Sequence, residues 1–336
     1  MNYIGSKKAL SRWLLNTIIA ETEDMPEKGM IFCDLFAGTG IVGTTFRPFS
    51  KTVISNDLEY YSYILNRNYI GNSDPKILED KKIFDMVSEA KPTEGFIFHH
   101  YCEGGDAGRL YFSKTNGKKI DGMRIKIEEL KKEISEDMYF FLLASLIESA
   151  DKVANTASVY GAFLKKLKRA AQQDIVLSPA LFLPDEQKNQ IYNLDANELI
   201  TKIKGDVLYL DPPYNQRQYS ANYHLLNTIA KYEEFEPKGK TGLPNYNKSD
   251  FSKKSEVKKA FEDLISRADF KYIFLSYNNE GLLSETELLE ILGRHGEVSL
   301  FKKEYRRFKA DTDQNRDHKA SSTYEYLYKL KKEIKQ

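Results

Sequence analysis

The chain contains little cysteine and no surplus of either charge. Among 336 residues there are two cysteines, Cys33 and Cys102, and five histidines. Two cysteines without a CxxC pair argue against a disulfide scaffold and a zinc site, and they fit a reducing compartment. The 50 basic residues balance 49 acidic ones, which excludes a protein coated in positive charge. A locally basic face remains compatible with this balance, because net charge says nothing about distribution.

The sequence also lacks a long apolar run. No stretch of about 18 apolar residues occurs, and the N-terminus has no apolar segment typical of a signal peptide. We therefore expect a soluble, cytoplasmic protein with neither a membrane nor a metal among its partners. Hydrophobic residues make up 41% of the chain, enough for a substantial core in one large domain or a domain with an inserted lobe.

The pattern of apolar runs indicates the α/β class. Strands are predicted at 30–35, 51–57, 206–210 and 272–276, helices at 58–70 and 254–268, and a closing hairpin at 297–305 and 322–330. The region between is mostly helical or irregular, with one strong helical stretch from about Lys126 to Val153. The simplest organisation is a discontinuous α/β domain, residues 1–71 and 191–336, interrupted by an inserted domain, residues 72–190.

The motif Asp211-Pro212-Pro213-Tyr214 directly follows the apolar strand predicted at 206–210. It should therefore lie at the carboxyl end of that strand, where open α/β sheets bind ligands. An acid, stiff proline carbonyls and an aromatic ring suit a planar amine. Two acceptors on the amine hydrogens localise the nitrogen lone pair and stabilise positive charge developing there. The alternative is a tight turn in which Asp211 is only a turn former.

A glycine-rich turn follows the first predicted strand. Residues 38–43 match GxGxxG, a pattern of dinucleotide binding at a helix N-terminus. Asp34, just before the glycines, favours a cationic ligand such as a sulfonium over a pyrophosphate. Asp57 ends the second strand, where an acid can bind ribose hydroxyls, and it can equally cap the helix predicted at 58–70.

Some weaker candidates have ordinary explanations of equal weight. Lys7 has the reach to meet a carboxylate, although the exposed start of a helix accounts for it as well. Asp195 could end a strand beside the motif strand and accept a hydrogen bond from an adenine amine, or be a plain loop acid. Basic residues of the inserted region are candidate phosphate contacts or solvated faces: Lys118, Lys119, Arg124, Lys165, Lys166, Lys168 and Arg169.

Taken together, these segments resemble the DNA adenine-N6 methyltransferases of the alpha group, the DNA adenine methylase family. The shared order is YIGSK, DLFAGTG, an acid after the second strand, a long insertion and DPPY, and it covers about residues 1–70 and 192–330. The resemblance implies a Rossmann-like S-adenosyl-L-methionine-dependent methyltransferase sheet with a mainly helical inserted target-recognition domain. It also implies site-specific methylation of adenine N6 in double-stranded DNA, by base flipping and direct methyl transfer.

The resemblance carries expectations for partners and for single residues. A restriction-modification system is the expected setting, with a cognate restriction endonuclease as candidate partner. The motif Asp211-Pro212-Pro213-Tyr214 would be the catalytic motif, and it would hold the flipped adenine through Asp211 and Tyr214. The cofactor would be bound at its methionine end, its ribose and its adenine by these residues: Tyr3, Lys7, Asp34, Phe36, Gly38, Asp57 and Asp195.

Three alternatives stay open from the sequence. An RNA or protein-glutamine methyltransferase would use the same amine chemistry at Asp211. A nicotinamide-dependent oxidoreductase would use the GxGxxG pattern but leaves the catalytic motif unexplained. A non-catalytic DNA-binding protein would keep the fold without turnover.

Overall fold

A computed structural model describes residues 6–22, 29–216, 218–246, 248–279, 281–305 and 323–333. The strands are β1 (Met30–Asp34), β2 (Ser50–Asn56), β3 (Gln190–Tyr192), β4 (Lys204–Leu210), β5 (Asp269–Asn278), β6 (Gly296–Tyr305) and β7 (Thr323–Lys332). A single 3-10 turn, Lys7–Ala9, precedes the first helix. The α-helices are α1 (Ser11–Ala20), α2 (Ile41–Phe46), α3 (Tyr60–Asn66), α4 (Lys76–Glu79), α5 (Lys81–Ser88), α6 (Phe96–Tyr101), α7 (Lys114–Leu130), α8 (Glu136–Val153), α9 (Ala196–Leu199), α10 (Tyr219–Asn222), α11 (His224–Lys231), α12 (Val257–Arg267) and α13 (Glu285–Gly293).

The strands form one sheet in the order β3-β2-β1-β4-β5-β7-β6. The first five of these are parallel, and β7 is antiparallel to both β5 and β6. The chain moves outward from β1 to β3 and then returns to place β4 against the other side of β1. That reversal is the topological switch point at which open α/β sheets bind ligands. The expected Rossmann-like α/β class and the closing hairpin are confirmed.

The strand order corrects one expectation. The segment before Asp195 forms β3, which pairs with β2 and not with the motif strand β4. Strands β1 and β2 therefore lie between that segment and the Asp211 motif. The sequence could not reveal this, because it shows that a segment is a strand but not which neighbour it pairs with.

One compact unit contains the sheet and consists of Gly5–Leu58, Gln187–Gln218 and Lys248–Gln336. Its central strands are buried on both faces, which explains their unbroken apolar sequence. In β4, for example, Val207, Leu208, Tyr209 and Leu210 are all fully buried. The apolar sides of α9, α12 and α13 belong to the core that packs on this sheet.

The second compact unit is helical and contains Glu59–Glu186 and Tyr219–Asn247. Its bounds differ from the inserted domain expected at 72–190, because α3 and α11 join its core. The apolar side chains of α11 (Leu225, Leu226 and Ile229) are fully buried in the cluster built around α8. Within the described residues, no helix is both long enough and apolar enough to cross a bilayer.

The helix predicted from Lys126 to Val153 is in fact two helices. Ser135 accepts a hydrogen bond from the Met138 N–H and so caps a new helix, α8. The preceding helix, α7, begins at Lys114 and carries two internal glycines. A Cβ at Gly117 would collide with the sulfur of Cys102, and one at Gly122 with the Lys91 carbonyl. These glycines lower helix propensity but permit close packing, so the sequence pattern missed α7 before about Lys126.

Candidate functional site

Two acids that the sequence predicted as site residues, Asp34 and Asp211, lie at the carboxyl ends of adjacent strands at the switch point. Asp34 is the last residue of β1, and it lies opposite Tyr209 of β4 in the parallel register. The Leu35 N–H donates to the Tyr209 carbonyl at 3.2 Å, so the two strand ends stay together. Asp211 follows β4 directly. The glycine-rich turn and the Asp211–Tyr214 motif therefore share one edge of the sheet.

A buried lysine lies between two carboxylates at this edge. The Lys7 ammonium is 3.0 Å from Asp211 Oδ1 and 2.9 Å from Glu325 Oε1. The Lys7 side chain is 7% exposed, Asp211 18% and Glu325 2%. Burial opposes the lysine charge, but the two carboxylates outweigh it and hold the pKa of Lys7 well above its ordinary range. Lys7 thus remains a cation, and it is not an ordinary exposed helix start.

Glu325 is a member of the site that our sequence reasoning missed. It lies on β7, where the Ser276 hydroxyl of the neighbouring strand β5 donates to its carboxylate. Side chains alternate along a strand, so Glu325 shares a face with the fully buried Leu327. An acid at the inward position of an alternating strand is the signal that would have found it.

The surroundings of Asp211 raise the pKa of its carboxyl. Burial raises the pKa of its carboxyl to about 6, Lys7 opposes that rise, and Glu325 adds to it. Above pH 6 the carboxylate form predominates and can accept hydrogen bonds from an amine. Below that pH the protonated acid loses one of its acceptor sites.

Asp34 is a buried acid with unused hydrogen-bonding capacity. It is 1% exposed, and its Oδ2 accepts the Gly43 N–H at 3.3 Å. Its Oδ1 has no hydrogen-bond partner among the described residues. Burial, with the nearby charge of Asp211, holds the pKa of Asp34 well above its ordinary range. A cationic group beside Oδ1 would satisfy this oxygen and stabilise the carboxylate, whereas a pyrophosphate would be repelled.

The glycine-rich turn is shaped by left-handed backbone and by Asp57. Gly38 and Gly40 have φ values of 52° and 78°, which favour glycine. The Gly38 N–H donates to Asp57 Oδ2 at 2.7 Å. The residue at the N-cap position of α3 is Glu59, so the capping explanation for Asp57 is wrong. Asp57 instead fastens the turn to the end of β2.

The other residues predicted to bind the cofactor are Phe36, Asp195 and Tyr3. Phe36 is half-buried and meets the Phe251 ring edge-on, with centroids 5.0 Å apart. Asp195 is exposed and caps α9, accepting the N–H groups of Asn197 and Glu198. Tyr3 lies outside the described residues.

The rest of the catalytic motif forms a firm turn. Pro212 is buried, while Pro213 and Tyr214 are half-buried. The Tyr214 carbonyl accepts the Leu282 N–H at 2.9 Å, which ties the turn to the segment after β5. This turn presents an acid, carbonyl groups and a partly exposed ring within four residues.

Six of the seven predicted phosphate contacts divide into three groups. Lys118 and Lys119 are half-buried and already paired, with Glu94 at 2.5 Å and Asp174 at 3.1 Å. Lys168 is half-buried and donates to the Thr156 carbonyl at 2.8 Å. The exposed cations, for which no salt bridge to a described acid is found, are Lys165, Lys166 and Arg169.

The prediction that Arg124 contacts phosphate is wrong, because this side chain is buried. Its guanidinium is 3% exposed and donates to the Ile229 carbonyl at 3.1 Å and the Ala230 carbonyl at 3.2 Å. It also pairs with Glu128 at 2.9 Å. These bonds satisfy backbone groups at the end of α11. The side chain therefore holds the helical unit together and is not offered to a phosphate.

The part of the chain that the structure describes offers no cluster of three or more His, Cys, Asp or Glu side chains arranged for a metal ion. Cys33 and Cys102 are both free and buried. The candidate site therefore consists of the residues around Lys7, Asp34 and Asp211.

Comparison with known proteins gives a consistent picture. A family model described as D12 class N6 adenine-specific DNA methyltransferase matches residues 3–291. The chain is 58% identical to the type II methyltransferase M.NlaIII of Neisseria lactamica, over 99% of each protein. It is 39% identical to M.CviAII of Paramecium bursaria Chlorella virus 1, over 92% of this chain and 93% of that protein. It is also 39% identical to M.FokI of Planomicrobium okeanokoites, over 99% of this chain and 53% of that protein.

Proposed function

The chain belongs to the D12 class N6 adenine-specific DNA methyltransferases, and we propose that it methylates adenine N6 at a specific site in double-stranded DNA, with S-adenosyl-L-methionine as donor. The observation that carries this proposal is the position of Asp211. Its carboxylate is held by Lys7 at the carboxyl end of β4, beside the glycine-rich turn that follows β1. A target amine and a methyl donor can therefore bind at the same edge of the sheet.

The donor fits the charge of the acids at this edge. Asp34 and Asp57 line the glycine-rich turn, and Asp34 Oδ1 is an unused buried acceptor. Such acids suit the sulfonium and ammonium groups of S-adenosyl-L-methionine, which supplies an electrophilic methyl group when bound. We assign Asp34, Phe36 and Gly38 to its methionine end and Asp57 to its ribose.

Two further residues complete the proposed donor site. We assign Asp195 to the adenine of the donor and keep Tyr3 as a proposed contact. The acids argue against the nicotinamide alternative, because its pyrophosphate would lie against negative charge.

The catalytic step follows from the motif. The Asp211 carboxylate accepts one hydrogen bond from the adenine amine, and the Pro212 carbonyl accepts the other. These acceptors favour a pyramidal nitrogen with a localised lone pair. They also stabilise the positive charge that develops on this nitrogen as it attacks the methyl group of the donor. Tyr214 stacks on the extruded ring and offsets part of the cost of flipping, a few kcal/mol.

The setting we propose is a restriction-modification system in the cytoplasm. The relatives are named type II methyltransferases, so a cognate restriction endonuclease with the same target is the proposed partner. The helical unit is the proposed target-recognition domain, as the family resemblance implies, and its exposed cations would position it on DNA phosphates.

The test is methyl transfer from labelled S-adenosyl-L-methionine to duplex DNA, RNA and protein in parallel, followed by nucleoside analysis. We expect N6-methyladenine in duplex DNA at a defined sequence. Label in RNA or in glutamine instead would assign the rival methyltransferase. DNA binding with no transfer would leave only a binding protein, and binding of NAD without S-adenosyl-L-methionine would support the oxidoreductase.

Exposed and paired cations of the helical unit should differ in their effect on DNA binding. Changing Lys165, Lys166 and Arg169 together to glutamine should weaken binding and flatten its salt dependence by about 0.9 for each phosphate that is no longer neutralised. The control changes Lys118 and Lys119 to glutamine; since their charges are already paired, binding should stay near wild type. Both variants are titrated with duplex DNA at several salt concentrations, and equal effects would remove the distinction.

A further inference from the structure

Lys7 is shared between the proposed catalytic acid and a second, more deeply buried acid. The two contacts are nearly equal in length, 3.0 Å to Asp211 and 2.9 Å to Glu325. Glu325 is itself held in place, since the Ser276 hydroxyl donates to the same oxygen. A carboxylate fixed from one side and bonded to an ammonium on the other determines where that ammonium lies.

We propose that Glu325 is a positioning residue for methyl transfer. By engaging one side of the Lys7 ammonium, it limits the hold of Lys7 on Asp211 and leaves the Asp211 carboxylate able to accept the target amine. This inference rests on the proposed function. Glu325 lies outside residues 3–291, which the family model matches, so membership of the family assigns it no role.

The surroundings of Asp211 allow this effect to be measured. The charges that act on it are Lys7, which stabilises the carboxylate, and Glu325, which destabilises it. The neighbouring groups are Asp34, whose charge couples to that of Asp211, and the buried Tyr209 hydroxyl. Glu325 and Lys7 act in opposite directions, so removing either charge should move the titration of Asp211 in a known direction.

A purely structural tether is present on the same strand for comparison. Lys329, four residues along β7 from Glu325, pairs with Glu21 at 2.7 Å just after α1. Both pairs therefore join the N-terminal segment to β7, but only the Glu325 pair includes a partner of Asp211. Glu21→Gln is the matched control for Glu325→Gln, because each replaces one carboxylate with its neutral isostere.

The decisive measurement is the single-turnover rate of DNA methylation from about pH 5 to about pH 9. In Glu325→Gln, Asp211 is the one remaining carboxylate of the two that contact the Lys7 ammonium. Because the pKa of Asp211 should fall, we expect the acid limb of the pH–rate profile to move to lower pH by about half a unit or more. The rate on the plateau of this profile should fall about tenfold. Glu21→Gln should leave both at wild-type values. An unmoved limb in Glu325→Gln, or an equal shift in Glu21→Gln, would overturn the proposal.

A second variant, Glu325→Asp, distinguishes loss of positioning from loss of the fold. Glu325→Asp keeps the charge but shortens its reach, so the acid limb should stay near that of the wild type while the plateau rate falls. A wild-type rate in Glu325→Asp would contradict a positioning role. Thermal unfolding is recorded for each variant, so that any loss of fold is seen separately.

Asp211→Asn separates the role of Glu325 from the proposed function of the site. If Asp211→Asn still methylates DNA at the wild-type rate, the proposed function of the site is wrong. If that variant is inactive and the Glu325→Gln profile matches wild type, only the role of Glu325 is wrong.

Discussion

Replacing Asp211 with asparagine should lower the single-turnover rate of methyl transfer by at least about a thousandfold. Asparagine is nearly isosteric, so the turn after β4 is preserved. Its amide lacks the negative charge that stabilises positive charge developing on the amine nitrogen. Binding of S-adenosyl-L-methionine, measured by calorimetry, should persist, because the loss falls on the transition state.

A matched control for this change lies on β4, the strand that Asp211 follows. Asp206 is half-buried near the start of β4 and accepts the Ile31 N–H at 2.7 Å. Asp206→Asn keeps an acceptor oxygen for that bond, and we expect it to methylate DNA at close to the wild-type rate. A near-normal rate in Asp211→Asn would end the assignment of Asp211 as the amine acceptor.

The second large effect is expected for Lys7→Met. Without the ammonium, the Asp211 and Glu325 carboxylates face each other with no cation between them. The pKa of Asp211 then rises further, and the rate at neutral pH should fall by about a hundredfold or more. Because one partner of a buried ion pair is lost, the free energy of unfolding should also fall, by about 3–5 kcal/mol.

The pH profile separates these two consequences of Lys7→Met. If the loss of rate comes from protonation of Asp211, activity should recover in part as the pH is raised, so the acid limb moves upward. That direction is opposite to the one expected for Glu325→Gln. The control is Lys8→Met, which removes the adjacent but exposed lysine and should leave rate and stability unchanged. A rate in Lys7→Met that is low and independent of pH would refute the electrostatic role.

The sheet and the catalytic motif were predictable because their signals are local. The buried strand β4 is an apolar run that leads directly into Asp211, and β1 ends in the same way at Asp34. In both cases the carboxyl end of a parallel strand fixes where the acid must lie. The burial of Asp34 follows from the same position at a strand end, and it is the basis of the role that we propose for it toward a cationic group.

Other parts of the site depend on contacts between distant segments. The bond from Lys7 to Glu325 joins residues near the two ends of the chain, and no local pattern specifies that pairing. The pairing of β3 with β2 is of the same kind, and it moved Asp195 away from the motif strand. Sequence periodicity identifies elements and faces, whereas such partners are chosen by tertiary packing.

The helical unit, which we propose as the target-recognition domain, is built from residues 59–186 and 219–247, and this bears on attempts to exchange it between relatives. A chimera that receives residues 59–186 alone would pack foreign helices against the resident α11, whose Leu225, Leu226 and Ile229 are fully buried in that core. Mismatched volumes there would leave cavities or clashes. A successful transplant must therefore carry residues 219–247 as well, although they follow the catalytic motif in the sequence.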